Sequence, residues 1–184
     1  MRIAIPLSRL AIGLVLASSQ YAMPAHAQEI KRTSVPGSTF PISTTVVVPA
    51  GSRLVFLSGN LAEVANPEAP KGSIAAYGNT NTQVISILKK FEKLLAAEGL
   101  TLADVVKVNV FMVGDPDLGG KMDFAGLNAA YSQYFGSPTQ PNKPVRTALQ
   151  VAALPMSGGL VEIEMTAAKT EPPAPAPAPH AKKK

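Results

Sequence analysis

The sequence predicts one α+β domain with elements in the order ββαβαββ. Three observations carry this reading. The runs 105–113, 145–152 and 160–168 alternate apolar and polar residues with a period of two. The stretches 81–99 and 123–135 repeat their apolar residues at steps of three and four. Short segments rich in proline, glycine and asparagine punctuate these runs.

The first 27 residues stand apart from the domain. Arg2 and Arg9 flank the entry to an apolar run from Leu10 to Ala17, and Ala25-His26-Ala27 is a small-x-small cleavage site. The run is too short to span a bilayer. The expectation is a cleaved signal peptide over 1–27, a domain over 28–170 and an exported, periplasmic protein without a stable membrane anchor. Residues 171–184, "EPPAPAPAPHAKKK", are low in complexity. Alternating Ala-Pro favours extended backbone and packs no core, so a disordered Ala/Pro/Lys tail is expected there.

The formal charge of +5 resides mostly in these ends. Without Arg2, Arg9, the three tail lysines and the tail glutamate, the domain carries about +1. No basic cluster marks a nucleic-acid surface. Lys89, Lys90 and Lys93 share one helix and read as a solvated face.

Within the domain, "STTVVV" (43–48) and "RLVFLS" (53–58) flank Pro49-Ala50-Gly51-Ser52 and read as a hairpin. The loop "NPEAPKGS" follows. In 81–99 the stripe Val84, Ile87, Leu88, Phe91, Leu94, Leu95 marks an amphipathic helix, and Gly99 stands where a C-terminal glycine cap belongs. The strand 105–113 comes next, then the loop "GDPDLGGK". A second helix carries Phe124, Leu127, Tyr131 and Phe135 on one stripe. Two strands close the domain.

Strand parity separates apolar from polar side chains. Val106, Val108, Val110 and Met112 oppose Lys107, Asn109 and Phe111. Thr147, Leu149 and Val151 oppose Arg146, Ala148 and Gln150. Val161, Ile163 and Met165 oppose Glu162 and Glu164. Two helices cover only one face of such a sheet. The other face is expected to bear Arg146, Gln150, Glu162, Glu164, Lys107 and Asn109, either solvated or buried against a copy of itself.

Much chemistry is excluded. The chain has no cysteine, and its two histidines are His26 in the leader and His180 in the tail. No Ser-His-Asp triad can form in 28–170, and neither a zinc site nor any other cofactor is expected. Asp115 and Asp117 read as turn residues, being too few for a calcium loop. Neither "GSPTQPNKP" nor "AGSRLVFLSG" has phosphate-loop spacing. Carboxylates, hydroxyls, arginine and backbone remain, a set suited to easy hydrolysis of a reactive substrate.

Four motifs in order, "RLVFLSGN", "LNAAYSQYF", "PVRTALQVAALP" and "LVEIEMTAA", resemble the RidA family, also called YjgF or L-PSP, of reactive enamine/imine deaminases. The resemblance covers most of 40–168. It implies a chorismate-mutase-like fold, with a sheet bearing two helices on one face, assembled as a homotrimer with clefts between subunits. It matches Arg146 to the arginine that binds the substrate carboxylate, and Glu162 to the glutamate that places or activates water. It matches Ser58 to the serine of the "SG" pair and Asn128 to the asparagine of the second helix. Ala148 replaces a cysteine whose backbone groups line the substrate site. The activity implied is hydrolysis of 2-imino or 2-enamino acids to 2-keto acids and ammonia. The alternatives are a non-catalytic trimeric binder of small carboxylates and an endoribonuclease. The sequence departs from the family at "FPISTT", which offers Phe40 or Ile42 in place of a cleft tyrosine, and in the longer loop "GDPDLGGKMD".

Overall fold

A computed structural model describes residues 28–171. The leader and residues 172–184 of the tail lie outside the described residues. The strands are β1 (Lys31–Thr33), β2 (Thr45–Val47), β3 (Arg53–Leu61), β4 (Val105–Met112), β5 (Val145–Gln150) and β6 (Val161–Lys169). The helices are α1 (Ile74–Tyr77), α2 (Thr80–Ala97) and α3 (Phe124–Tyr131). The main sheet has the order β3-β6-β4-β5. Its β3–β6 and β6–β4 pairs are antiparallel, and β4–β5 is parallel, as the crossover through α3 requires. This is the α+β, chorismate-mutase-like arrangement, with α2 and α3 on one face.

Helix α2 forms where the period is strongest. Asn79 caps it by accepting a hydrogen bond from the Thr82 amide at 3.0 Å. Gly99, at φ 67°, takes the left-handed conformation that ends it, and the Leu100 amide reaches back to the Leu95 carbonyl at 2.8 Å. Val84, Ile87, Leu88, Phe91 and Leu95 are fully buried against Val108, Val110, Met112, Ile163 and Met165 of the sheet. Gln83 is buried among them with every bond made. Its Nε2 donates to the Gly78 and Gly158 carbonyls, and its Oε1 accepts from the Leu160 amide at 2.8 Å, fixing the entry to β6. Phe91→Ala is expected to cost about 3–5 kcal/mol, because the surrounding core cannot collapse into the cavity. Urea denaturation at fixed protein concentration measures it.

Several expectations need correction. The turn at Pro49–Ser52 forms, with the Ser52 amide donating to the Pro49 carbonyl, but the flanking strands do not pair across it. Strand β2 pairs instead with β1, whose three residues carry no legible alternation. Strand β3 pairs with β6. Helix α1 follows directly on the loop "NPEAPKGS", in a stretch given no element from the sequence, and α3 ends at Tyr131, although Phe135 beyond it is buried. Leu94 and Phe124, assigned to the buried stripes, are exposed. The largest correction concerns β5. Its parallel register sets Arg146 beside Val108 and Ala148 beside Val110, so these side chains lie on the helix-covered face. Thr147 and Leu149 take the open face. Arg146 and Glu162 are therefore on opposite faces of the sheet.

Candidate active site

Strand β5 is the margin of the sheet, where α3 passes over the helix-covered face. Asp123 caps α3 by accepting from the Gly126 amide at 2.7 Å. From that start, Phe124, Asn128 and Tyr131 fall at i, i+4 and i+7 on the face that meets Arg146. Asn128 Oδ1 accepts from Arg146 Nη2 at 2.8 Å. The Tyr131 ring lies under the guanidinium, 4.5 Å from Cζ to centroid. The rings of Phe124 and Phe40 stand 5.7 and 5.8 Å from the same carbon. Arg146 thus sits in an aromatic nest, where cation–π attraction contributes about 2 kcal/mol once water is displaced.

The nest does not satisfy the charge. Arg146 Nη1 is buried without a hydrogen-bond partner. The ion pairs among the described residues belong to Arg53, with Glu98 and Glu171, and none to Arg146. Burial lowers the Arg146 pKa, and the neighbouring Tyr131 partly opposes this. Burial likewise raises the Tyr131 phenol, with the Arg146 charge pulling the other way, so Tyr131 remains a neutral ring beneath a cation. A desolvated guanidinium with an idle donor and no carboxylate of its own has the chemistry to take up an anion.

On the open face, β3 carries a bulge. The register passes from Leu57↔Met165 to Asn60↔Ile163, so Ser58 and Gly59 together oppose Glu164. Ser58, expected at the end of a strand, lies inside β3 at this bulge. Asn109 Nδ2 donates to Glu164 Oε1 at 2.6 Å. Ser58, Lys107, Asn109, Glu164 and Thr166 line a cavity of about 270 Å³, with Phe56 at its rim. Glu162 lies one pair further along, between Leu61 and Phe111. Its carboxylate folds over Gly59, where a Cβ would overlap Glu162 Oε1. The glycine of the "SG" pair therefore makes room for the glutamate.

The structure thus gathers Arg146 and Asn128 in one place and Ser58 and Glu162 in another. Ala148 sits two residues along β5 from Arg146, packed against the core. Phe40 takes the place beside Arg146, whereas Ile42 packs inward against the core. The apolar stripe of the second helix marks Tyr131 and Phe124 only as core residues. Their spacing with Asn128 was the available signal, since it puts all three on one helical face. Asp115 and Asp117 form the turn expected of them, Asp115 Oδ1 accepting from the Asp117 amide. Among the described residues, no cluster of three acidic or histidine side chains could hold a metal ion.

The family model described as Endoribonuclease L-PSP matches residues 26–169. The chain belongs to the RidA/YjgF/L-PSP family. Similar proteins include Protein DfrA of Myxococcus xanthus, 35% identical over 139 residues, covering 75% of this chain and 92% of that protein. The 2-iminobutanoate/2-iminopropanoate deaminase of Capra hircus is 33% identical over 138 residues, covering 75% and 87%. Among solved structures, the Yersinia pestis Rid-family protein YyfB superposes with a TM-score of 0.55 at 26% identity, covering 74% of this chain and 96% of that one.

Proposed function

We propose that the protein is an enamine/imine deaminase that hydrolyses 2-imino and 2-enamino acids to 2-keto acids and ammonia. The observation that carries this reading is the Arg146 guanidinium, buried, aromatic-walled and left with an unpartnered donor. The substrate carboxylate supplies the missing acceptor, and the planar fork sets its orientation. Water adds to the C2 carbon of the imine. Glu162 takes a proton from that water and returns one to the departing nitrogen. The C2–N bond breaks, ammonia leaves and the 2-keto acid remains. The substrate is reactive by itself, so positioning and proton transfer are sufficient.

Arg146 and Glu162 occupy opposite faces, so one chain does not bring both to one substrate. A homotrimer does so if the marginal strand β5 of one subunit meets the open face of the next. The open face suits such burial: Phe56 is 76% exposed and Leu149 40% exposed beside Glu162, Asn109 and Lys107. Light scattering on residues 28–184 at micromolar concentration is expected to report three subunits, and a monomer would remove the basis for a shared cleft.

Steady-state release of ammonia from imino acids, generated in situ by an amino-acid oxidase, tests the activity. Keto-acid binding without turnover would favour a carboxylate-binding protein. The low charge of the domain and its lack of histidine speak against ribonuclease chemistry, despite the family model's description. Export, and action in the periplasm, are part of the same proposal and rest on the leader. N-terminal sequencing of protein from the cell envelope is expected to begin at Gln28.

A further inference from the structure

We propose that Phe40 and Phe124 form the wall that receives the substrate side chain. The preferred substrates would then be 2-imino acids with large apolar or aromatic side chains, ahead of those derived from alanine or 2-aminobutanoate. The inference rests on the deaminase reading and names the substrate class of that site. The two rings stack on each other, with centroids 6.5 Å apart and planes inclined by 29°. Both are large apolar groups left open to solvent, 41% and 40% exposed, although the core is complete without them. Each ring stands within 6 Å of Arg146 Cζ.

A carboxylate paired with the guanidinium at ordinary hydrogen-bond lengths places its carbon about 4 Å from Cζ. The substituent on C2 then projects into the space the two rings border. A methyl or ethyl group leaves most of both ring faces wet. An isobutyl, thioether or benzyl group covers them, and each apolar area removed from water adds to capture. Tyr131 cannot serve in this way, because its ring is fully buried beneath the guanidinium. Ile42 is turned into the core. The wall therefore comes from the "FPI" segment through Phe40 and from the first residue of α3.

The test compares kcat/KM for imino acids made in situ from leucine, phenylalanine, methionine, alanine and 2-aminobutanoate, using wild type and Phe40→Ala. Calorimetric binding of 4-methyl-2-oxopentanoate and pyruvate runs alongside. The leucine- and phenylalanine-derived imines are expected to exceed the alanine-derived one by about tenfold or more. Phe40→Ala is expected to collapse most of that ratio. Equal loss for all substrates would assign Phe40 to holding Arg146 and overturn the wall. So would an unchanged ratio, or a wild type that prefers the alanine-derived imine, and in each of these the deaminase reading survives. Selective binding of 4-methyl-2-oxopentanoate without turnover of any imine would keep the wall and remove the deaminase. Neither turnover nor binding would overturn both.

Discussion

Replacing Arg146 by lysine is expected to lower kcat/KM by roughly ten- to a hundred-fold, equivalent to about 1.5–3 kcal/mol of lost transition-state stabilisation. Lysine keeps the charge but loses three features of arginine. It has no second nitrogen to hold Asn128 Oδ1 while another remains unpartnered for a substrate carboxylate. It has no plane to lie on the Tyr131 ring. It has no fork to fix the direction of a bound carboxylate. Arg146→Ala removes the charge as well and is expected to fall further. The loss should appear mainly in KM for lysine, where the cation remains but its aim is poor. Wild-type rates in both variants would sink the assignment of Arg146 to substrate. Alanine also strips the packing partner from Tyr131, so thermal unfolding must accompany the kinetics. A folded Arg146→Lys enzyme with a raised KM is the decisive result, because lysine preserves charge and much of the bulk.

How much of this was legible beforehand depends on how one-sided each element is. Helix α2 was legible because all of its stripe but Leu94 is buried, at steps of three and four, and glycine ends it. Strands β4 and β6 were legible because covered and open positions alternate in type as well as in burial. Strand β5 was found but turned over. Its apolar residues Val145, Ala148 and Leu149 fall on both faces, so parity misleads there, and it assigns Arg146 and Gln150 to the uncovered face, solvated or buried against a copy. At the margin of the sheet the helix layer is thin. There Gln150 bonds the Met122 amide and the Gly120 carbonyl of the loop leading into α3, and Arg146 bonds Asn128, so polar groups do what apolar packing does further in. The β1–β2 pairing was not legible, because three-residue strands of sequence KRT and TVV carry too few positions to show a period. For the site, residue identities came through the motif resemblance, but their division between two faces is a property of register and needed the structure.

That division yields the sharpest test of Glu162. Glu162→Gln keeps the shape over Gly59 and removes the proton acceptor, so kcat is expected to drop by about a hundred-fold or more with KM little changed. A similar loss from Gly59→Ala would follow, since the new methyl displaces the carboxylate. The two faces also dictate how variants combine. If Arg146 of one subunit and Glu162 of its neighbour serve one cleft, Arg146→Ala and Glu162→Gln subunits can complement each other. In randomly mixed trimers made at equal proportion, about a quarter of the clefts would pair the intact Arg146 of one variant with the intact Glu162 of the other. Activity should then return to about a quarter of wild type, although each variant alone is nearly inactive. If both residues acted from one chain, no cleft in any mixture would be whole, and co-refolding the two variants would restore nothing. Recovery in the mixed trimer, absent when the separately assembled variants are simply combined, is therefore the expected signature. Its absence, with mixed trimers intact by light scattering, would rule out a cleft that pairs Arg146 of one subunit with Glu162 of its neighbour.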